Sequence, residues 1–261
     1  MNMSQLTSIA TIAARVQPGP TWRVPDDPAP RALGRQQRPS LDDLRATHPD
    51  VTAVLAGVRR WADAYRRALA AQGRAEAEMG ECRAPSLILS GPNGTGKTHI
   101  ARAIQWRVLT TVALDADGDK LPDSVSPGCK WFAAAELLGR LGHESDSDGY
   151  RYATRPGQLI GNAPFVIIDD VAAELAIPYV AHAAQDVERQ LRWHMVIDWC
   201  YANNVPVVMT TNLAASGDDS DLARHVGPRA WSRLMQMCPR GFILSLWNVP
   251  DYRLIAGGRA G

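Results

Sequence analysis

The sequence has almost no charge imbalance and no long apolar run. Its 261 residues contain 28 lysine and arginine residues against 27 aspartate and glutamate residues, a formal net charge of +1. Composition therefore gives no overall reason to expect nucleic acid or an anionic membrane as a partner, and any contact with nucleic acid must be local. No stretch approaches the roughly 18 apolar residues of a membrane span, and no basic segment precedes an apolar one at the N-terminus. We expect a cytoplasmic protein with no membrane partner.

Cysteine and lysine are also scarce. The four cysteines, Cys82, Cys129, Cys200 and Cys238, lie far apart, with no CxxC pair and no histidine-rich surroundings. This spacing argues against a zinc site and against a disulfide framework, so we expect four reduced thiols. Only three residues are lysine, whereas 25 are arginine. A chain of this length holds one domain of about 170 to 200 residues with an extension, and two large domains would not fit.

Residues 1–38 contain closely spaced prolines, which prevent any helix beyond the first residues. Leu6, Ile9, Ile12 and Val16 fall close to one helical stripe, which predicts a short amphipathic helix on a flexible proline-rich arm. A frayed tail is the alternative. Because an apolar stripe on a tether gains stability only when it docks, we hypothesise that this arm binds a protein client.

Residues 39–84 are predicted to be a helical lead-in to the rest of the chain. Its helix spans residues 49–72, begins at a proline, presents an apolar stripe on one face and stops at Gly73. The opposite face, residues 59–67, is rich in arginine. Such faces are usually solvated, and contact with DNA phosphates is the alternative.

From residue 85 to residue 261, short apolar strands alternate with helical patterns, which predicts an α/β fold with a parallel sheet covered on both faces. The predicted strands are residues 86–90, 130–132, 165–169, 205–210 and 242–246. The predicted helices are residues 97–109, 133–141, 184–202 and 228–237. Polar residues 115–128 and 142–157 are expected to be surface loops. Trp193, Trp199 and Trp231 lie in predicted helices and are expected in the core, with base stacking as the alternative.

The segment between the first strand and the first helix of this region reads GPNGTGKT and matches the phosphate-binding pattern GxxxxGK[ST]. Its glycines let the backbone turn N–H groups toward phosphate oxygens, and the following helix directs its positive end at them. Lys97 is expected to contact the β- and γ-phosphates, and the Thr98 hydroxyl to ligate Mg²⁺. His99 follows on the first helical turn, where a surface histidine is the alternative to a nucleotide contact. The predicted nucleotide contacts are Gly91, Pro92, Asn93, Gly94, Thr95, Gly96, Lys97, Thr98 and His99.

Two further strands end in polar residues at the edge where open α/β sheets bind ligands. The stretch FVIIDDV places Asp169 and Asp170 at the end of a buried strand. There the first acid can hold Mg²⁺ and the second can polarise an attacking water, whereas a pair of helix-capping acids is the alternative. The stretch VPVVMTTNL ends in Asn212, whose amide can orient that water against the γ-phosphate; an ordinary Asn turn is the alternative. Together these residues predict an ATPase that uses Mg²⁺.

The succession GPNGTGKTH, VIIDD, PVVMTTNL, VGPRAWSRL and WNVPDYRL resembles the AAA+ ATPases of the DnaC/IstB group, which are bacterial and phage helicase loaders and related helpers of transposition. The resemblance covers roughly residues 41–261. It implies a P-loop AAA+ fold in three layers, with a five-stranded parallel sheet of order 5-1-4-3-2 and no large helical lid. It also implies that Asn212 senses the γ-phosphate and that Arg233 is the arginine finger offered to a neighbouring subunit, with Arg229 as the second candidate. The chain would then form a homo-oligomer.

The same resemblance indicates the partners but leaves the client open. The preferred interpretation is an ATP-dependent helicase loader in DNA replication, which binds a DnaB-like replicative helicase and helps place it on single-stranded DNA. The alternatives are an IstB-type ATPase helper of a transposase and a non-hydrolysing, ATP-dependent oligomeric scaffold. Asp170 stands where many AAA+ ATPases have glutamate, so we expect slow hydrolysis that oligomerisation or DNA stimulates.

Overall fold

The described part of the chain begins at the predicted lead-in helix. The structure, a computed structural model, describes residues 49–75, 83–112, 129–141, 144–145, 151–152, 155–161, 163–173 and 183–252. The predicted proline-rich arm, residues 1–38, lies outside the described residues, and so does the polar stretch 115–128.

Seven strands lie within these residues, and five of them form one parallel sheet. The strands are β1 (Leu87–Ser90), β2 (Lys130–Ala133), β3 (Glu144–Ser145), β4 (Arg151–Tyr152), β5 (Val166–Val171), β6 (Val207–Thr211) and β7 (Ile243–Ser245). The main sheet has the order β2-β5-β6-β1-β7, with every neighbouring pair parallel. Numbered by their own succession along the chain, its strands follow the predicted order 5-1-4-3-2 from the β7 edge. The predicted α/β fold is confirmed.

Helices cover both faces of this sheet. They are α1 (Pro49–Ala75), α2 (Lys97–Val112), α3 (Ala134–Arg140), α4 (Pro156–Ile160), α5 (Ala183–Ala202), α6 (Asp221–Val226) and α7 (Pro228–Met237), with a 3-10 turn at Arg240–Phe242. One apolar core joins α1 and α2 to one face of the sheet, and a second core joins α3 to α7 to the other face. The sheet is therefore the middle of three layers, as the α/β pattern requires.

The lead-in helix α1 is anchored by aromatic side chains. Trp61 and Tyr65 are fully buried, their rings stack at 5.5 Å between centroids, and both meet Phe165 edge to face. The indole Nε1 of Trp61 donates a 2.7 Å hydrogen bond to the Pro85 carbonyl, and Tyr65 Oη donates one of 3.2 Å to the Pro164 carbonyl. Burial raises the pKa of the Tyr65 phenol above its usual range. The lead-in therefore shares one core with the sheet, and its predicted apolar stripe faces that core.

The three tryptophans of the predicted helices lie in or against the core on the other face of the sheet. Trp193 is fully buried and Trp231 is 5% exposed, whereas Trp199 packs against the same core but is partly exposed. The prediction of a core position is therefore confirmed for Trp193 and Trp231, whereas Trp199 lies at the edge of the core.

Three local predictions need correction. Helix α1 continues through Gly73 to Ala75, because a glycine inside a helix costs only about 1 kcal/mol and does not have to end it. Residues 142–157 are not simply a loop, since β3 and β4 form an antiparallel pair there and α4 begins at Pro156. Strands of two residues are too short to produce a recognisable alternation. Helix α6 was also missed; Ser220 caps it by accepting from the Ala223 N–H at 3.2 Å.

The three cysteines that the structure describes are expected to be unreactive. Cys129, Cys200 and Cys238 are free thiols, and burial raises the pKa of each to about 12. They therefore stay protonated and poorly nucleophilic near neutral pH. Cys82 lies outside the described residues. None of the helices that the structure describes is long and apolar enough to cross a membrane.

We predict that Trp61→Ala lowers the free energy of unfolding by about 3 to 5 kcal/mol, because a fully buried aromatic ring is replaced by a cavity. The Pro85 carbonyl also loses its donor. Chemical denaturation monitored by circular dichroism measures the change. Leu191→Ala is the control, since Leu191 is 54% exposed and its removal should change stability by about 0.5 kcal/mol or less. A loss below about 1 kcal/mol for Trp61→Ala would mean that α1 is not part of the folded core.

Candidate functional site

The glycine-rich segment forms a tight loop between β1 and α2. Gly94 and Gly96 have φ values of 78° and 90°, a region that residues with a Cβ rarely adopt. Gly91 has no room for a side chain, because an added Cβ would lie 2.8 Å from Cβ of Leu246. The loop is fixed to the sheet by the N–H of Gly91, which donates to the Thr211 carbonyl at 3.2 Å. The sequence therefore specifies a loop that curves over the carboxyl end of β1.

Lys97, the first residue of α2, is held against this loop. Its Nζ donates to the carbonyl oxygens of Gly91 and Pro92, each at 2.7 Å, and the residue is only 7% exposed. Thr95 Oγ1 donates to the same Pro92 carbonyl at 2.9 Å. Backbone carbonyls thus stabilise a buried ammonium at the point where the loop and the N-terminus of α2 meet, and a positive charge beside a helix N-terminus favours an anion there.

The acid of β5 meets the first turn of α2. Oδ1 of Asp169 accepts from Thr98 Oγ1 at 3.0 Å and from Thr210 Oγ1 at 2.6 Å. One carboxylate oxygen therefore joins residues from α2 and β6. Thr210 was noted in sequence only as the end of a strand; its position beside the acid strand in the sheet gives it this role, which the linear sequence does not reveal.

The second acid, Asp170, occupies a distorted part of β5. The register with β6 shifts between Ile168 and Val171, and Asp170 has a φ of 57°. Bulges of this kind redirect side chains near functional sites, and a left-handed φ in a residue other than glycine is a strained conformation often found there. Its backbone N–H donates to Thr210 Oγ1 at 2.8 Å, and the side chain is exposed. This backbone conformation places the Asp170 carboxylate next to Asn212.

Asn212, just beyond β6, completes the group. Its Nδ2 donates to Oδ1 of Asp170 at 3.2 Å. Because an ionised carboxylate only accepts hydrogen bonds, this contact fixes the orientation of the amide. The other amide atom, Oδ1 of Asn212, is buried and has no hydrogen-bond partner in the described part of the chain. A buried acceptor of this kind costs free energy unless a donor such as a water molecule reaches it.

These residues fit magnesium and a triphosphate. No group of three or more His, Cys, Asp or Glu side chains in the described ranges can hold a metal by itself. Mg²⁺, however, is usually held by one or two protein oxygens, with waters and phosphate oxygens completing its shell. Thr98 and Asp169 would supply such a pair, and the loop with Lys97 would supply the phosphate contacts. His99 is exposed on the first turn of α2, so its proposed contact with the nucleotide stays a prediction.

The two candidate finger arginines differ in their surroundings. Arg233 is engaged within its own chain: its Nε lies 3.3 Å from Oδ1 of Asp198, and its guanidinium stacks 4.4 Å from the centre of the Tyr201 ring. Arg229 lies exposed on the first turn of α7. No ion pair joins Arg229 to a residue that the structure describes. Arg229 is therefore the more exposed of the two, and which of them is the finger stays a prediction.

The sheet order and the phosphate loop together are those of a P-loop AAA+ fold. The sequence matches no protein-family model and no curated protein. Similar solved structures include a crystal structure of the DnaC helicase loader, 19% identical, TM-score 0.49, covering 81% of this chain and 98% of that chain. A crystal structure of DnaI is 17% identical, TM-score 0.47, over 80% and 88%. AMPPCP-bound DnaA from Aquifex aeolicus is 14% identical, TM-score 0.38, over 75% and 51%. Identities this low describe fold alone.

Proposed function

We propose that this chain is an ATP-hydrolysing molecular switch of the helicase-loader type. The observation that carries the proposal is the hydrogen-bonded group formed by Thr98, Asp169, Thr210, Asp170 and Asn212 beside the phosphate loop. Three separate elements contribute to it, and their side chains have the types and order that Mg²⁺-assisted phosphoryl transfer to water requires.

Each residue then has a chemical task. The loop N–H groups and Lys97 would bind the phosphates, and Thr98 and Asp169 would hold Mg²⁺. When bound, the ion would supply positive charge that stabilises the phosphate oxygens. Asp170 accepts the proton of the attacking water, and Asn212 orients that water with its buried carbonyl oxygen. Aspartate is shorter than the glutamate common at this position, so Asp170 reaches the water less directly and hydrolysis is slow.

A neighbouring copy of the chain supplies the remaining positive charge. The geometry favours Arg229 as the arginine finger, because Arg233 already contacts Asp198 and Tyr201. A trans arginine makes hydrolysis depend on assembly, so ATP joins subunits and hydrolysis releases them. This explains how a single small domain can act as a switch.

The client is a DnaB-like replicative helicase, and its destination is single-stranded DNA. The support for this client is the resemblance of VGPRAWSRL and WNVPDYRL to the helicase loaders. The proline-rich arm, residues 1–38, is proposed to bind the helicase. ATP binding and hydrolysis in the core then control when the helicase is captured and released.

We predict that the chain captures a bacterial replicative helicase in the presence of ATP and releases it after hydrolysis on single-stranded DNA. Size-exclusion chromatography measures the complex, and fluorescence anisotropy of labelled DNA measures helicase transfer. Asp170→Asn should trap the complex, because ATP binds without being hydrolysed, whereas Lys97→Ala should not respond to ATP. Capture of a transposase but not of the helicase would instead support the transposition helper, and a complex unaffected by hydrolysis would support the scaffold.

A further inference from the structure

The order of the sheet fixes the direction in which a nucleotide lies. The phosphate loop follows β1, which lies between β6 and the edge strand β7, with β5 beyond β6. The acids and Asn212 stand on β5 and just after β6. A triphosphate that presents its last phosphate to those residues would extend its sugar and base the other way, toward the continuation of β7.

That continuation, residues 246–252, lies along the phosphate loop. The N–H of Leu246 donates to the Ser90 carbonyl at 2.7 Å, and the N–H of Tyr252 donates to the Gly94 carbonyl at 3.1 Å. Between them Val249 is buried at 3% exposure and holds the segment to the core. The segment is thus attached at both ends of the loop's first half, on the side of the loop opposite to β6 and β5.

Asp251 brings a carboxylate to this side of the loop. A Cβ added at Gly94 would lie 1.9 Å from Oδ1 of Asp251 and 2.0 Å from its Cγ, so the carboxylate is in direct contact with the backbone of the loop. The residue is half-buried. The Tyr252 hydrogen bond to Gly94, one residue further on, fixes this approach.

A carboxylate in this position selects among the groups that a nucleotide offers. It accepts hydrogen bonds but cannot donate them, and it repels phosphate oxygens. The ribose hydroxyls are the uncharged donors nearest to the phosphates, and an acid that accepts from ribose hydroxyls is a recurrent solution in nucleotide-binding α/β folds. We propose that Asp251 accepts a hydrogen bond from a ribose hydroxyl and makes the site select nucleotides that carry this hydroxyl over those that lack it. The inference rests on the proposed function, since it requires the loop to bind a nucleoside triphosphate.

The test compares ATP, 2′-deoxy-ATP and 3′-deoxy-ATP in equilibrium binding to the full chain, measured by isothermal titration calorimetry without turnover. The wild-type chain should bind at least one deoxy analogue about tenfold more weakly than ATP, the effect of one hydrogen bond to a charged group. The analogue that binds weakly identifies the hydroxyl. Asp251→Ala should bind ATP about tenfold more weakly and should no longer distinguish the three nucleotides.

Two further variants separate recognition from folding. Asp251→Asn keeps one acceptor oxygen and should retain part of the discrimination, about threefold, because a neutral acceptor forms a weaker hydrogen bond. Asp219→Ala removes an exposed acid beyond β6 and should discriminate like the wild-type chain. If Asp251 has only a structural role, Asp251→Ala should bind all three nucleotides more weakly by the same factor, and the ratios of their affinities should stay as in the wild-type chain.

The outcomes also separate this inference from the proposed function. Tight ATP binding by the wild-type chain with equal affinity for both deoxy analogues would overturn the role of Asp251 alone. Tighter ATP binding by Asp251→Ala would overturn it too, because the carboxylate would then compete with the phosphates. If the wild-type chain binds none of the three nucleotides, the proposed function fails and this inference fails with it.

Discussion

Lys97→Ala is expected to abolish tight ATP binding, whereas Asp170→Asn is expected to keep ATP binding and lose turnover. The ammonium of Lys97 is buried at the loop and donates there to two carbonyl oxygens. Lys97→Ala also removes the charged hydrogen bonds that this ammonium is proposed to make with the β- and γ-phosphates, worth about 1.5 to 3 kcal/mol each. Two such bonds correspond to a loss of affinity of about a hundredfold or more.

Asp170 should behave differently because its task is in the reaction and not in binding. Its exposed carboxylate accepts a hydrogen bond from Asn212. Asparagine keeps the size of the side chain and can still meet the Asn212 amide through its oxygen, but it cannot take a proton. The loss of a general base typically lowers turnover by about 10² to 10⁴-fold.

Titration with a fluorescent ATP analogue measures binding, and phosphate release under single-turnover conditions measures hydrolysis. Asp219→Ala, at an exposed position beyond β6, controls for a general loss of negative charge at this edge. Equal loss of ATP affinity in Lys97→Ala and Asp170→Asn would contradict the division of roles. Unchanged hydrolysis in Asp170→Asn would leave the chain without its proposed base.

The parts of the site that sequence could predict are those encoded in one continuous stretch. GPNGTGKT specifies the loop by itself, because its glycines are needed for backbone angles and its lysine follows at a fixed spacing. The acid strand and the Asn strand were also recognisable, since each is a short apolar run that ends in polar residues. Their pairing as neighbours, β5 beside β6, followed from the resemblance and is observed in the sheet.

What sequence could not predict depends on contacts between distant residues. Thr210 bridges the two acids only because β6 lies next to β5, and nothing in VVMTT distinguishes it from Thr211. The strained φ of Asp170 arises from the shifted register between the two strands. Asp251 lies 157 residues from Gly94 in sequence and meets it because β7 pairs with β1. Such roles are set by topology, which local patterns do not encode.

The choice between the two arginines shows the same limit. VGPRAWSRL offers Arg229 and Arg233 one helical turn apart, and the resemblance alone favoured Arg233. In the structure Tyr201 has Arg83 stacked 4.1 Å from its ring centre and Arg233 at 4.4 Å. Arg233 of α7 therefore contacts α5, a contact that the sequence gives no means of recognising, and which arginine is the finger stays a prediction.

Arg229→Ala is expected to bind ATP normally but to hydrolyse it at least a hundredfold more slowly. A trans arginine stabilises the charge of the transition state and contributes about 10³ to 10⁵ in related phosphoryl transfers. Arg233→Ala is the matched control, one turn further along α7. It should keep hydrolysis within a few-fold and lose only about 1 to 2 kcal/mol of stability, because an exposed ion pair and a stacked guanidinium each contribute little.

Mixing experiments test whether Arg229 acts in a neighbouring copy. Neither Arg229→Ala nor Lys97→Ala should hydrolyse ATP efficiently alone. A mixed oligomer, however, contains subunit interfaces at which the phosphate loop of an Arg229→Ala subunit faces Arg229 of a Lys97→Ala subunit. Such mixtures should therefore recover part of the wild-type rate, with a maximum near equal proportions. If mixed oligomers form and no rate returns at any proportion, Arg229 does not act in trans. If Arg233→Ala loses hydrolysis while Arg229→Ala does not, the contacts of Arg233 with Asp198 and Tyr201 must break on assembly, and Arg233 is the finger after all.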